Sequence, residues 1–261
     1  SKVRVVGVVG EDYADADLEL LVSRGVDLKG LQKQRGKTFH WKGEYKDDMN
    51  EAITLATELN VFEHFNPEIP DEYKNSKYVF LANIDPVLQL RVLKQIESPK
   101  LVASDTMNFW INSKFDDLKK VLAKVDVLLI NEGEADLISK KTNAIAAARE
   151  ILALGPKAVV IKRGEYGFVL YTKEGYLILP AYPVAEVMDP TGAGDTFAGA
   201  FFGYLAKQDK GFDLTVIKQA CVQGVLLASF TVQSFGVERL KTLTWTEVEN
   251  RDREYLKVTT L

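Results

Sequence analysis

A chain of 261 residues, 46% apolar and 27% charged, has the composition of a soluble globular protein with enough apolar side chains for a substantial core. Its net charge of −4, with acidic and basic residues interspersed, argues against a nucleic-acid stripe and against a basic membrane-binding face. One cysteine, Cys221, excludes an intrachain disulfide and a multi-cysteine zinc site, and fits a reducing cytoplasm. Within the apolar run CVQGVLLASF it reads as a buried structural thiol. His40 and His64 sit in no HExxH or triad-like context and read as half-exposed strand or loop residues. No apolar stretch approaches the length of a membrane span.

In chain order, Val3 to Val9 is a near-continuous apolar run and predicts a strand covered on both faces. It lacks the basic start and cleavage site of a signal peptide. DADLELLVSRG has helical spacing and stops at Gly25. TFHWKGEY and MNEAITLATELNVF, separated by the turn-like Lys46-Asp47-Asp48, predict a small antiparallel sheet standing apart from the body, at about 36–57. From Lys77 onward strands and helices alternate. KYVFLANI, LVASD, VDVLLI and AVVIK are strands; the segments from Asp85-Pro86 to about Ile96, FDDLKKVLAKV and AIAAAREILALG are helices. That alternation predicts an α/β fold: a doubly wound, mostly parallel sheet with helices on both faces. Arg163 to Pro180 has hairpin texture, turning at Lys173-Glu174-Gly175. Helices follow over Gly194 to about Lys207, Leu214 to about Phe230 and Trp245 to Leu256.

In such sheets ligands bind beyond the carboxyl ends of the strands. Asp105 and Asn108, Asn131 and Glu134, and Lys162 to Gly164 all fall there. The most informative string is Asp189-Pro-Thr-Gly-Ala-Gly-Asp195-Thr-Phe197. Gly192 and Gly194 permit close backbone approach, and a helix begins here. The first amides of that helix, on Ala193, Gly194 and Asp195, are expected to lack helical partners. With the helix dipole they suit a phosphoryl group. A carboxylate at Asp195, beside such an anion site, suits a base for an attacking hydroxyl. A lone GxGD would read instead as a capping carboxylate with packing glycines.

NEGEAD offers Asn131 and Glu134 on one helix face, a pair suited to Mg²⁺. Taken alone, the same residues read more simply as an N-cap with its capping-box partner. Lys162, Gly164 and Gly167 either support nucleotide phosphates or ribose, or form a charged hairpin entrance; the two readings weigh about equally. Gly30 to Thr38 imitates a P-loop, but five residues separate the glycines where four are required, and an aromatic strand follows. GAGDTFAG imitates a dinucleotide fingerprint, but Phe197 replaces the third glycine.

Together DPTGAGDTFAGAF, NEGEAD, KRGEYG and VVGVVGEDYADADLELLVSRGVDL resemble the PfkB (ribokinase-like) carbohydrate kinase family, closest in texture to uncharacterised bacterial sugar kinases. The resemblance implies an ATP-dependent phosphotransferase acting on a hydroxyl of a small carbohydrate. It implies Asp195 as catalytic base and the amides of Gly192, Ala193 and Gly194 as the anion hole. Lys162, Gly164 and Gly167 would bind ATP, with Ala220 to Ala228 near the adenine. Asn131 and Glu134 would organise Mg²⁺, Asp105 and Asn108 would lie near the acceptor, and Asp189 would belong to a K⁺ site with carbonyls near Thr231, Ser234 and Gly236. The small sheet would be a lid, which in this family often pairs across a homodimer. The family pattern begins with a further strand and a Gly-Gly loop, so the expectation is one kinase domain whose sequence, starting at Ser1, lacks that stretch. Asp12 precedes Tyr-Ala where many members have Phe-Gly, a difference expected only to alter a turn. The alternatives are a nucleoside kinase of the same fold and a nucleotide-binding regulator with a degenerate acceptor site.

Overall fold

The computed structural model describes residues 2–45, 49 and 52–260. By backbone contacts the chain forms two compact units, Ser1–Ser76 with Val87–Pro99, and Lys77–Pro86 with Lys100–Leu261.

In the first unit, strand β1 (Arg4–Gly10) pairs in parallel with β2 (Asp27–Gln34) through helix α1 (Asp15–Ser23). Only Val8 to Gly10 of β1 are buried, so the expected two-sided burial holds for its second half alone. Strand β2, DLKGLQKQ, has no apolar run to announce it. Gly30, the first glycine of the P-loop imitation, lies inside it. A Cβ there would meet the Val5 carbonyl oxygen at 2.6 Å, so close strand pairing is why this position is glycine. Strands β3 (His40–Tyr45) and β4 (Ala52–Glu58) form the expected antiparallel pair. The turn read at Lys46-Asp47-Asp48 lies outside the described residues. A 3₁₀ turn, Asn60–His64, and the short helix α2 (Asp71–Lys74) follow. Helix α3 (Pro86–Gln95) adds a longer element, all but its first residue in this unit. His40 and His64 are exposed.

The second unit holds a six-stranded sheet. Strands β5 (Tyr78–Leu81), β6 (Leu101–Ser104), β7 (Val127–Asn131) and β8 (Ala158–Lys162) run parallel. Then β9 (Phe168–Thr172) and β10 (Gly175–Leu179) are antiparallel, as the hairpin texture requires. Between β6 and β8 in the chain lie α4 (Asn108–Ser113), α5 (Phe115–Leu122), α6 (Glu132–Ser139) and α7 (Ala144–Leu152). The chain ends in α8 (Ala193–Gln208), α9 (Leu214–Thr231), α10 (Glu238–Thr242) and α11 (Trp245–Thr259).

Alternate residues of the central strands enter two cores. Leu101, Ala103, Val127, Leu129, Ala158, Val160, Phe168 and Leu170 pack with Phe197, Phe201 and Leu205 of α8, Ile217, Cys221 and Leu226 of α9, and Tyr255 of α11. The opposite-facing Leu128, Ile130, Val159 and Ile161 are equally buried, and α7 packs on β8 and β9. Helix α9 corrects one expectation. Its 18 residues have mean hydropathy 1.3, long and apolar enough to cross a membrane by those criteria alone. Half of that stretch is buried within the protein, and Ile217, Ala220, Cys221 and Leu226 are fully so, which explains its apolar character as that of a core helix.

Candidate active site

At the carboxyl ends of the parallel strands, Asp105 follows β6, and Asn131 and Lys162 are the last residues of β7 and β8, as the alternation implies. The turn entering α8 is built from Pro190, Thr191 and Gly192. Gly192 has φ +80 and ψ −3, the left-handed conformation required at the third position of a type II turn. The turn closes with the Ala193 amide donating to the Pro190 carbonyl at 3.1 Å. This corrects one expectation: the Ala193 amide is spent inside the turn and is not a free donor. Thr196 opens the helical ladder by donating to the Gly192 carbonyl at 2.8 Å. Among the described residues, the amides of Gly192, Gly194 and Asp195 have no backbone acceptor, so the donors left at this end are these three.

Lys162 reaches this turn. A Cβ on Gly194 would lie 3.0 Å from the Lys162 ammonium, so the glycine makes room for that cation. Ammonium, free amides and helix N-terminus together concentrate positive potential on one small region. Asp195 stands in the first turn of α8 with its side chain exposed.

Two buried carboxylates share the Lys162 charge. Asp105 is buried at the end of β6 and its carboxyl is pushed up to about 7; burial is the main cause, the Asp195 and Glu134 charges add to it, and the Lys162 ammonium opposes it. Burial likewise raises Glu134, against the lowering influence of Lys162 and of the Asn131 amide. Asn131 and Glu134 form the capping box of α6: Asn131 Oδ1 accepts from the Glu134 amide at 2.8 Å and a Glu134 carboxylate oxygen accepts from the Asn131 amide at 2.8 Å. The simpler of the two readings of NEGEAD is therefore realised. One Glu134 carboxylate oxygen lies outside that box. Among the described residues no group of three or more His, Cys, Asp or Glu side chains gathers in metal-binding geometry. The donor set is thus no closed cage; it fits a hard cation carried mainly by phosphate oxygens and water.

Gly164 and Gly167 bracket a 3₁₀ turn between β8 and β9 at φ +54 and +83. A Cβ on Gly167 would lie 2.0 Å from the Leu179 carbonyl oxygen, so packing alone demands that glycine. Arg163 is held at the same rim by Glu132, Nε to Oε1 2.9 Å. Asn108 begins α4 and is exposed. Asp189 turns one carboxylate oxygen to the Thr191 amide at 2.9 Å, and the Met188 and Asp189 amides both donate to the Val232 carbonyl. On α9, Ala220, Cys221, Val225 and Leu226 are committed to the core. Of the stretch expected beside an adenine, only the face of Val222, Gln223, Leu227 and Ala228 remains partly exposed.

The sequence reading missed the part α9 plays in building this turn. Thr231 Oγ1 donates to Thr196 Oγ1 at 2.9 Å, and Phe197 packs so closely on α9 that a Cβ at Gly224 would lie 2.8 Å from its ring. Thr196 and Phe197 belong to the DPTGAGDTF string; their partners lie far along the chain, with no motif of their own.

A family model described as pfkB family carbohydrate kinase matches residues 1–243. A cytidine kinase of Thermococcus kodakarensis is 32% identical over 81% of this chain and 75% of its own length. A nucleoside kinase of Methanocaldococcus jannaschii is 26% identical over 95% of this chain and 78% of its own. Among solved structures, a putative ribokinase II from E. coli, in complex with ATP and Mg²⁺, superposes with a TM-score of 0.76 at 21% identity, covering 96% of this chain and 83% of that one; at that identity the likeness speaks for the fold. The signature turn, the doubly wound sheet and these matches agree, and the chain belongs to the pfkB family of carbohydrate kinases, ATP-dependent phosphotransferases that act on hydroxyl groups of sugars or nucleosides.

Proposed function

We propose that this kinase phosphorylates a primary hydroxyl of a ribose-bearing acceptor, with nucleosides favoured over free sugars, and that the turn at Gly192–Asp195 is where the phosphoryl group passes. The observation that carries the reading is the convergence of the Lys162 ammonium on Gly194 beside the unspent Gly194 and Asp195 amides. Such donors hold a phosphoryl group's oxygens best as their charge redistributes in transfer. The exposed Asp195 carboxylate accepts the acceptor's hydroxyl proton as its oxygen bonds to the γ-phosphorus; the bond from that phosphorus to the bridging oxygen breaks, and ADP leaves.

Mg²⁺ fits the same reading. The remaining Glu134 oxygen would hold it, directly or through water, and bound there the ion supplies charge neutralisation for the phosphates. Lys162, Gly164 and Gly167 are assigned to ATP, and Asp105 and Asn108 to the acceptor side. Nucleosides are favoured because the relatives aligned over 81% and 95% of the chain are named as cytidine and nucleoside kinases. Asp189 keeps one carboxylate oxygen outside its bond to Thr191, which supports a K⁺ site; replacing K⁺ by choline in the assay tests it. The β3–β4 sheet is assigned to a lid able to pair in a homodimer, to be read by light scattering. A cytoplasmic location accords with the single buried thiol of Cys221.

Two measurements test the reading. ADP release across a panel of nucleosides and sugars should show nucleosides preferred by at least about tenfold in kcat/KM, or about 1.4 kcal/mol; a free sugar winning would restore the carbohydrate reading, and ATP binding with no acceptor would leave a regulator. Asp195→Asn should reduce kcat by about a thousandfold or more with ATP affinity nearly intact. Retained turnover would remove Asp195 as the base.

A further inference from the structure

The carboxylate at Asp195 is exposed, and among the described residues no hydrogen bond to its side chain fixes where it points. Its two successors do not share that freedom. Thr196 accepts a hydrogen bond from the hydroxyl of Thr231, 2.9 Å away and itself 3% exposed at the end of α9. Phe197 is pressed onto α9 at Gly224. The segment entering the turn is tied to the same helix end, with the Met188 amide 2.8 Å from the Val232 carbonyl. The end of α9 thus holds both the start of α8 and the segment that leads into the turn.

Phe197, with Phe201 and Leu205, seats α8 against the core, but an apolar contact carries no preferred bond direction of its own. The Thr196–Thr231 bond is directional and resists rotation about the helix axis. The tip of a side chain stands about 5–6 Å from the axis of its helix, so a rotation of roughly 10° moves that tip by about 1 Å. Displacements of that size cost about a hundredfold in reactions that depend on alignment. We propose that Thr231 is a positioning residue for phosphoryl transfer: its buried hydroxyl, acting through Thr196, sets the rotation of α8 and hence the direction of the Asp195 carboxylate. The inference rests on the reading of Asp195 as base.

The test is Thr231→Val, which keeps the shape and removes the donor, compared with Thr231→Ser, Thr196→Val, the double Val variant and Asp195→Asn. Each is assayed well below its own thermal midpoint. Thr231→Val should lower kcat about tenfold or more while KM for ATP and for acceptor stays within twofold. Thr231→Ser should recover most of the loss, and the double variant should be no slower than the worse single one, because both substitutions break one bond. A Thr231→Val enzyme that melts earlier but keeps its kcat within twofold makes the residue merely structural and overturns the proposal. So does a double variant whose losses multiply. If instead Asp195→Asn stays active, the base assignment fails and this proposal falls with it, a result distinguishable from the first two by that arm alone.

Discussion

Strands β6, β7 and β8 of the second unit are buried residue after residue along most of their length, while β1 to β4 of the first unit are mostly half-exposed. The means of holding them differ accordingly. In the second unit apolar area removed from water does most of the work. The first unit relies on side-chain hydrogen bonds at strand ends. Thr38 is one hub: its hydroxyl donates to Asp12 at 2.7 Å and accepts the Gly10 amide at 2.9 Å, while its carbonyl accepts from Asn60. Tyr73 gives its hydroxyl to Asp27 at 2.6 Å, and the Trp41 indole N–H bonds Thr54 at 3.1 Å. Apolar burial tolerates imprecision in direction, whereas a network of directed bonds can be opened one member at a time.

The comparison can be broken at four points. Leu129→Ala, at a site with no exposed surface, should cost about 2–5 kcal/mol and be seen as a lowered urea midpoint of the whole second unit. A loss under about 1 kcal/mol would mean the sheet core is not what holds it.

Asp105→Asn addresses one of the two costly buried carboxylates of that unit. Folding raises this carboxyl to about 7, above its unfolded value, so the folded form binds the proton more tightly. Stability from this group is complete at pH below about 4 and falls as pH rises towards 7. The Asn variant should therefore melt several degrees above the parent at pH 8, with the gap closing near pH 4. A gap that does not change with pH would remove burial of the charge as the cause.

Thr38→Val should cost about 1 kcal/mol and act locally, speeding hydrogen exchange at the Gly10 amide more than at amides of β7. Uniform acceleration would sink the idea of a locally opened network. Ile53→Ala, 41% exposed on β4, should change stability by less than about 0.5 kcal/mol. A larger loss would show that this strand buries more than its own sheet provides.

The same contrast governs what could be read from the sequence. Strands β6, β7 and β8 were legible because burial on both faces writes itself as a run of apolar residues, while β5, YVFL, is buried only at alternate positions. Strand β2 was not legible, since DLKGLQKQ is held by pairing with β1 and offers no such run. Helix α4, with only six residues in NFWINS, is too short to show a period. In the site, the start of a helix within DPTGAGDTF was legible to within one residue, Gly194 expected and Ala193 found. Which amide the turn spends was not, because that depends on the left-handed Gly192 closing a bond to Pro190. The contribution of α9 was invisible for another reason: a threonine at the end of an apolar helix carries no mark of the partner waiting far upstream.

Helix α9 also bears on how the chain is made. Synthesis runs from the N-terminus, and domains fold largely in that order. The sheet residues that α9 covers, Leu101 to Leu170, and the α8 residues beside it are all synthesised before Leu214. The most apolar helix of the chain thus leaves the ribosome after the residues it packs with have been synthesised, so its apolar face need not wait for them. A circular permutation that moved it ahead of the sheet would reverse that order, and soluble yield from cells should fall while the purified native state keeps its stability.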